Sequence, residues 1–266
     1  MLWCVLYGLM ADAGATVLER VEFESASQRR ISDAIMPGDP IQADLARPDG
    51  AGPFPAVIGL HGCAGMHDTT KRRLADRLVA WGYVVLLVDS YATRRGMGCT
   101  SGAFATFIRR RPDAYGALVF LAGQSFVDPQ RVAVVGFSAG AWISLFVAEP
   151  NSFELFEPQS DLRFRAAAAF YPPCKQAMAR PGIPTIIFIG ALDDWTPAAD
   201  CSSKIAGWGN DGAPVELIVY PGVHHGFYYP QLQPGRTLFE HWLEYNAEAA
   251  DNATERLHQF LDRHLK

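Results

Sequence analysis

The chain has 266 residues, of which 49% are apolar, and 23 Lys and Arg stand against 28 Asp and Glu for a formal net charge of −5. That length is enough to bury a sizeable core, and the apolar share excludes wholesale disorder. The acidic balance, with no basic stripe, argues against a nucleic-acid partner.

Residues 1–10 are apolar, and residues 11–15 are mostly Ala and Gly. The pattern resembles a secretory leader cleaved near Ala13 or Ala15, although it lacks a positively charged start. The apolar stretch is too short to cross a bilayer, so no stable membrane insertion is expected. A cleaved leader would make the mature protein periplasmic or secreted; otherwise residues 1–15 are an apolar extension of a cytoplasmic protein. Residues 16–266 read as one domain.

Residues 16–25, 30–36 and 40–47 read as opening strands or hairpins, broken by Pro37-Gly38-Asp39-Pro40, and 48–55 as a turn-rich loop. A buried strand at 56–60 runs into His61-Gly62-Cys63-Ala64-Gly65, and a helix is predicted over 70–81. The next strand, 83–88, leads to a glycine-rich loop at 91–107 that carries Arg94 and Arg95. Past the carboxyl end of a strand, these two arginines are placed to face a substrate. Lys71-Arg72-Arg73 and Arg109-Arg110-Arg111 read as solvated helix faces or starts. A helix over 112–123 precedes the strand 131–135.

That strand enters Gly136-Phe137-Ser138-Ala139-Gly140, a G-x-S-x-G pentapeptide, and an apolar helix over 139–148 follows. A serine on such a strand-to-helix turn is lifted out of the backbone. Glycines on either side leave room where neighbouring elements approach closely. A serine needs a base, and the base an orienting acid. Strand 184–190 ends at a loop with Asp193 and Asp194, before a helix over 197–208. Strand 215–220 ends at a loop with His224 and His225. Both loops lie at the sheet edge where open α/β sheets build their sites. The residues alone leave each pair open. A metal at the paired histidines is not expected, since no spaced Cys/His set accompanies them.

Residues 236–264 read as helical, as one element or as two helices meeting near Asn246. Strand-helix alternation gives an α/β fold: a mostly parallel sheet with helices on both faces and no large lid domain. Backbone amides of Cys63 and Ala139 are the expected oxyanion donors. Tyr91, Trp142, Tyr171, Trp195, Phe227 and Tyr228, near strand ends, are candidate pocket walls. Besides Cys4 there are four cysteines; the neighbouring strand ends could bring Cys174 and Cys201 within reach of a disulfide suited to an oxidising compartment, the alternative being separate free thiols.

Taken together, His61 to Gly65, Arg131 to Gly140, Gly190 to Pro197, and Tyr220-Pro221-Gly222 leading to His225-Gly226-Phe227 resemble the dienelactone hydrolase family of α/β hydrolases, over about residues 25–265. The resemblance implies the α/β-hydrolase fold. It selects Asp193, three residues after the loop glycine and four before the proline. It selects His225, which precedes a small residue and a phenylalanine. Ser138 departs from the cysteine nucleophile of the best-known members, a departure that bears on the substrate rather than on hydrolase chemistry. The expectation is a serine hydrolase that cleaves small carboxylic esters or lactones through an acyl-enzyme, with Ser138, Asp193 and His225 as the triad and no cofactor or metal. The alternatives are a thioesterase or peptidase on the same scaffold, or a non-catalytic binding protein. The oligomeric state is left open.

Overall fold

The computed structural model describes residues 16–29, 35–94, 96–99, 107–157, 161–177, 179–209 and 212–266. The leader-like segment 1–15 and Arg95 lie outside the described residues. Strands β1 (Glu19–Glu24), β2 (Ser27–Arg29), β3 (Ile35–Met36) and β4 (Pro40–Ala46) open the described chain. Next come β5 (Phe54–Leu60), helix α1 (Asp68–Ala80), β6 (Val84–Asp89), α2 (Arg111–Ala122), β7 (Val127–Phe137) and α3 (Ala139–Val147). Then follow β8 (Phe156–Glu157), β9 (Ala166–Phe170), β10 (Thr185–Gly190), α4 (Ala198–Gly207), β11 (Val215–Tyr220), β12 (Arg236–Leu238), β13 (His241–Leu243) and α5 (Ala247–Leu265).

Eight strands form one sheet in the order β1-β4-β6-β5-β7-β9-β10-β11. The β1–β4 and β4–β6 pairs are antiparallel, and every later pair is parallel. Successive apolar residues in β5, β6 and β7 reflect burial on both faces. Ala56, Ile58, Leu60, Val132 and Val134 pack with Leu118, Leu121 and Ile143 on one face. Val57, Val85, Leu87, Ala133 and Val135 pack with Leu74, Leu78, Leu257 and Leu261 on the other. The helices α2 and α3 thus cover one face, and α1 and α5 the other.

The strand order decides where a site can form. From β5 the chain crosses to β6 on one side and returns to β7 on the other. The connections therefore diverge at the carboxyl ends of β5 and β7, and such a reversal opens a crevice at the sheet edge. The His61-Gly62 loop follows β5 and Ser138 follows β7, so both motifs reach that crevice.

The sheet, its parallel core and four of the five helices match the sequence reading to within a few residues. One segment does not. Residues 236–243 are not helical but form an antiparallel hairpin, β12–β13, closed by Phe239 (φ 50°) and Glu240 (φ 68°). Positive φ at both central residues matches the right-handed twist of a two-residue hairpin. The helix begins only after Asn246, whose side chain accepts a hydrogen bond from the Ala249 amide at 3.0 Å. That capped start sits where the sequence reading placed a helix junction. The small sheet β3-β2-β8 was not foreseen, its strands being only two or three residues long.

Cys174, just past β9, is disulfide-bonded to Cys201 in α4, with 4.9 Å between the Cα atoms. The bond closes a loop across 27 residues and ties the end of β9 to the helix behind the Asp193 loop. Replacing both cysteines by alanine is expected to cost about 2–4 kcal/mol through the freed unfolded chain. A urea midpoint equal to that of the wild type would count against a stabilising role.

Candidate active site

Ser138 occupies the turn between β7 and α3 with φ 51° and ψ −113°, a conformation that costs a non-glycine residue about 1–3 kcal/mol. The surroundings hold it there. Its amide donates to the Phe170 carbonyl at 2.9 Å, and its carbonyl accepts from the Trp142 amide at 3.1 Å. The flanking glycines are required by contact: a Cβ on Gly136 would run into the Gly140 carbonyl, and one on Gly140 into the Leu60 carbonyl. The turn is thereby pressed against the end of β5.

His225 Nε2 lies 3.0 Å from Ser138 Oγ, and His225 Nδ1 lies 2.8 Å from Asp193 Oδ2. The imidazole and carboxylate side chains are 3% and 0% exposed, so water competes weakly for either contact. Asp193 is fixed by its own loop: Oδ1 accepts from the amides of Trp195 (3.1 Å) and Thr196 (2.8 Å), and Oδ2 faces the Thr196 hydroxyl at 2.9 Å. The rings of Tyr171 and Trp195 stand 4.8 and 5.1 Å from the imidazole. The neighbouring residues turn elsewhere. Asp194 pairs with His241 of the hairpin at 3.4 Å, and His224 Nδ1 faces the Leu192 carbonyl at 3.2 Å.

The loop after β5 is braced by a buried network. The Ser90 amide donates to His61 Nε2 at 3.1 Å, which places the ring proton on Nδ1, 2.6 Å from the Gly62 carbonyl. Fully buried Arg110 donates to the His61 carbonyl at 2.8 Å. Burial, reinforced by the Arg110 charge, holds the His61 pKa well below its ordinary value, so the ring is neutral. Cys63 is disulfide-bonded to Cys99, which tethers this loop to the segment after β6. Neither the Cys63 nor the Ala139 amide enters a backbone hydrogen bond among the described residues.

A cavity of about 600 Å³ opens over Ser138 and His225. The 61–67 loop, Tyr91, Tyr171, Trp195 and Tyr229 line it, with Leu238 and Leu243 from the hairpin. Among the residues expected in the pocket, Tyr91, Tyr171 and Trp195 are on its wall. Arg94 is not: it is turned inward, with both terminal nitrogens on Asp113 at 2.7 and 2.8 Å and Nε on Asp39 at 2.8 Å. Trp142 lies in the core with its indole donating to the Gln176 carbonyl, and Phe227 is fully buried between Tyr171 and Tyr220. Both aromatics were assigned by nearness to strand ends, which does not set the direction of a side chain. Thr196, Tyr229 and the hairpin leucines escaped the sequence reading, and Arg110, read as part of a solvated helix face or start, is instead fully buried against the His61 carbonyl. An Asp followed three residues later by Thr is the one local signal among them, a turn in which the carboxylate accepts from nearby amides.

A profile of the Dienelactone hydrolase family matches residues 41–265. The chain belongs to the dienelactone hydrolase family. An uncharacterized Mycobacterium tuberculosis protein is 30% identical over 206 residues, covering 71% of this chain and 68% of that protein. Among solved structures, a dienelactone hydrolase-like promiscuous phosphotriesterase from metagenomic libraries superposes with a TM-score of 0.71 at 18% identity, covering 95% of this chain and all of that one. A carboxylesterase of Lactobacillus plantarum superposes with a TM-score of 0.65 at 15% identity, covering 94% and 98%. At those identities the likeness is one of fold, the α/β-hydrolase fold. As a dienelactone hydrolase family member the chain is a hydrolase, and the family implies a small-molecule substrate. Among the described residues no helix is long and apolar enough to cross a membrane.

Two outcomes test the buried network that supports this dienelactone hydrolase site. Asp113→Ala would strand the buried Arg94 guanidinium and is expected to cost about 3–5 kcal/mol in urea unfolding. An unaltered midpoint would rule out that pairing. Because His61 titrates lower when folded than when unfolded, its contribution is intact above pH 6.5 and is lost as pH falls below it. The stability gap between wild type and His61→Gln should therefore be wider at pH 7.5 than at pH 5, whereas a constant gap would mean an unshifted ring.

Proposed function

We propose that the protein is a serine hydrolase that cleaves carboxylic esters or lactones through an acyl-enzyme intermediate. The observation that carries this reading is the continuous chain of contacts from Asp193 through His225 to Ser138. In it, His225 Nε2 takes the Ser138 proton as Oγ attacks the substrate carbonyl carbon. Asp193 accepts from Nδ1–H, selecting the tautomer whose Nε2 is free and stabilising the imidazolium. The amides of Cys63 and Ala139 face the carbonyl oxygen as it becomes an oxyanion. His225 then gives the proton to the leaving alcohol, and the C–O bond breaks to leave the acyl group on Ser138. Water, with His225 again as base, releases the acid and restores the hydroxyl. With a lactone, the alcohol and acid remain one molecule.

The cavity supports a small substrate with an apolar portion. Leu232, Leu238, Leu243 and Met66 supply apolar surface, whereas Ser138 and the 61–65 loop hold the reacting carbonyl. Two disulfides, at Cys63–Cys99 and Cys174–Cys201, suit an oxidising compartment.

A fluorophosphonate probe should label Ser138, and Ser138→Ala should abolish both labelling and turnover of a short aryl ester. A folded protein that ignores the probe would instead be a binding module. His225→Ala should lower kcat by roughly four orders of magnitude, and His224→Ala by less than about tenfold. Asp193→Asn should cost about 10⁴ in kcat by favouring the wrong tautomer, while Asp194→Asn costs little. The reverse ranking in either pair would reassign that role. Parallel assays on thioesters and peptide amides define the substrate class.

A further inference from the structure

One polar group on the cavity wall has no task in the mechanism above. Tyr229 follows His225 by four residues and lines the cavity beside Ser138, Gly62 and Tyr171. Its ring is wedged against Phe137 and Tyr171, with centroids 5.6 and 6.2 Å away. Its hydroxyl is buried and has no hydrogen-bond partner. Buried hydroxyls are rarely left so, because the lost hydration is not recovered.

The lack of a side chain on Gly62 locates this hydroxyl. A Cβ on Gly62 would lie 3.5 Å from Ser138 Cβ and 3.7 Å from Tyr229 Oη. The phenol oxygen and Ser138 Cβ therefore approach the same point beside Gly62, the residue before Cys63. Gly62 at this position keeps the three elements together. The groups closest in influence to the phenol are the Gly62 amide and the Tyr171 hydroxyl, itself fully buried and without a partner. The amide can only donate, and the Tyr171 hydroxyl can donate as well. Neither forms a hydrogen bond with the Tyr229 oxygen, so its proton is uncommitted. Burial holds the phenol far above its ordinary pKa, so it remains a donor throughout the working pH range.

We propose that Tyr229 is a further catalytic residue, whose hydroxyl donates a hydrogen bond to the substrate oxygen as it becomes an oxyanion, alongside the amides of Cys63 and Ala139. The inference rests on the acyl-enzyme reading of the site and adds a side-chain donor to it. No proton is transferred; the O–H stays intact and the interaction strengthens as negative charge develops. A group of this kind favours the tetrahedral state over the bound ester.

The test is Tyr229→Phe, which removes only the unpartnered oxygen. The expected result is a fall in kcat of about 10- to 100-fold with KM within about twofold, since a donor of this kind acts mainly in the transition state. Affinity for an arylboronic acid, whose adduct with Ser138 mimics the tetrahedral state, should fall by a similar factor. A residue that merely packs the cavity would shift KM or melting temperature and leave the boronate-to-substrate ratio alone. Tyr229→Phe with kcat and boronate affinity within twofold of wild type would overturn the proposal. If the variant folds poorly, fluorotyrosine at position 229 serves instead: it keeps the donor, and a rate that follows ionisation of the fluorinated phenol at alkaline pH supports the role, while a rate indifferent to it overturns it. Fluorophosphonate labelling of the wild type separates the two failures. An unlabelled wild type ends the acyl-enzyme reading and this one with it, whereas a labelled, active wild type beside an unimpaired Tyr229→Phe ends this one alone.

Discussion

The Ser138 backbone, held at φ 51°, is the constraint on which the rest of the site depends. Left to itself the chain would relax, because a side chain at positive φ is strained. It cannot relax because β7 ends inside a parallel sheet, α3 starts with only Ser138 between them, and Gly140 lets that helix touch the carbonyl end of β5. The strain is borne by the surrounding core, whose buried residues cover both faces of the strands that converge there. Position, not composition, makes this serine distinct from Ser144, six residues further on and buried with its hydroxyl on the Gly140 carbonyl.

The remaining groups arrive from three loops that share no local sequence relation. His225 comes from beyond β11, Asp193 from beyond β10, and the His61–Gly65 loop from beyond β5. Each loop carries its own bracing. Amides of the Asp193 loop hold that carboxylate, the Glu244 amide donates to the His225 carbonyl at 3.2 Å, and Arg110 with Ser90 fixes the His61 ring. Catalytic geometry needs such supporting contacts because a hydrogen bond loses strength steeply with distance and angle. Two disulfides add covalent ties at the same edge of the sheet, one to the His61–Gly65 loop and one behind the Asp193 loop.

The hairpin β12–β13 gives the cavity its individual character. It replaces a helix turn with two short strands, puts Leu238 and Leu243 over the crevice, and sets His241 against Trp195 at 5.1 Å and Asp194 at 3.4 Å. The common hydrolase machinery and the local shape of the pocket thus come from different parts of the chain. Substrate choice belongs to the second part, since pocket walls set which groups fit beside a fixed nucleophile.

Much of this was legible in the primary structure. Apolar runs behind turn signals marked the parallel strands, G-x-S-x-G marked the strand-to-helix turn, and the order Ser, Asp, His along the chain marked the loops that meet there, because these features follow from local backbone needs. Direction and partnership were not legible. Nothing in the residues near Arg94 shows that it turns inward to Asp113, and nothing near Phe227 shows that its ring lies in the core. The hairpin at 236–243 was hidden because it is joined to the site by a backbone bridge between Leu243 and His225, a contact made only once the sheet is assembled. Tyr229 likewise gains meaning only when Gly62, 167 positions earlier in the chain, is brought beside it. Sequence by itself determined the elements and the chemistry available at their ends; tertiary structure decided which side chains meet, because burial and hydrogen-bond geometry are properties of the folded neighbourhood and not of the residue.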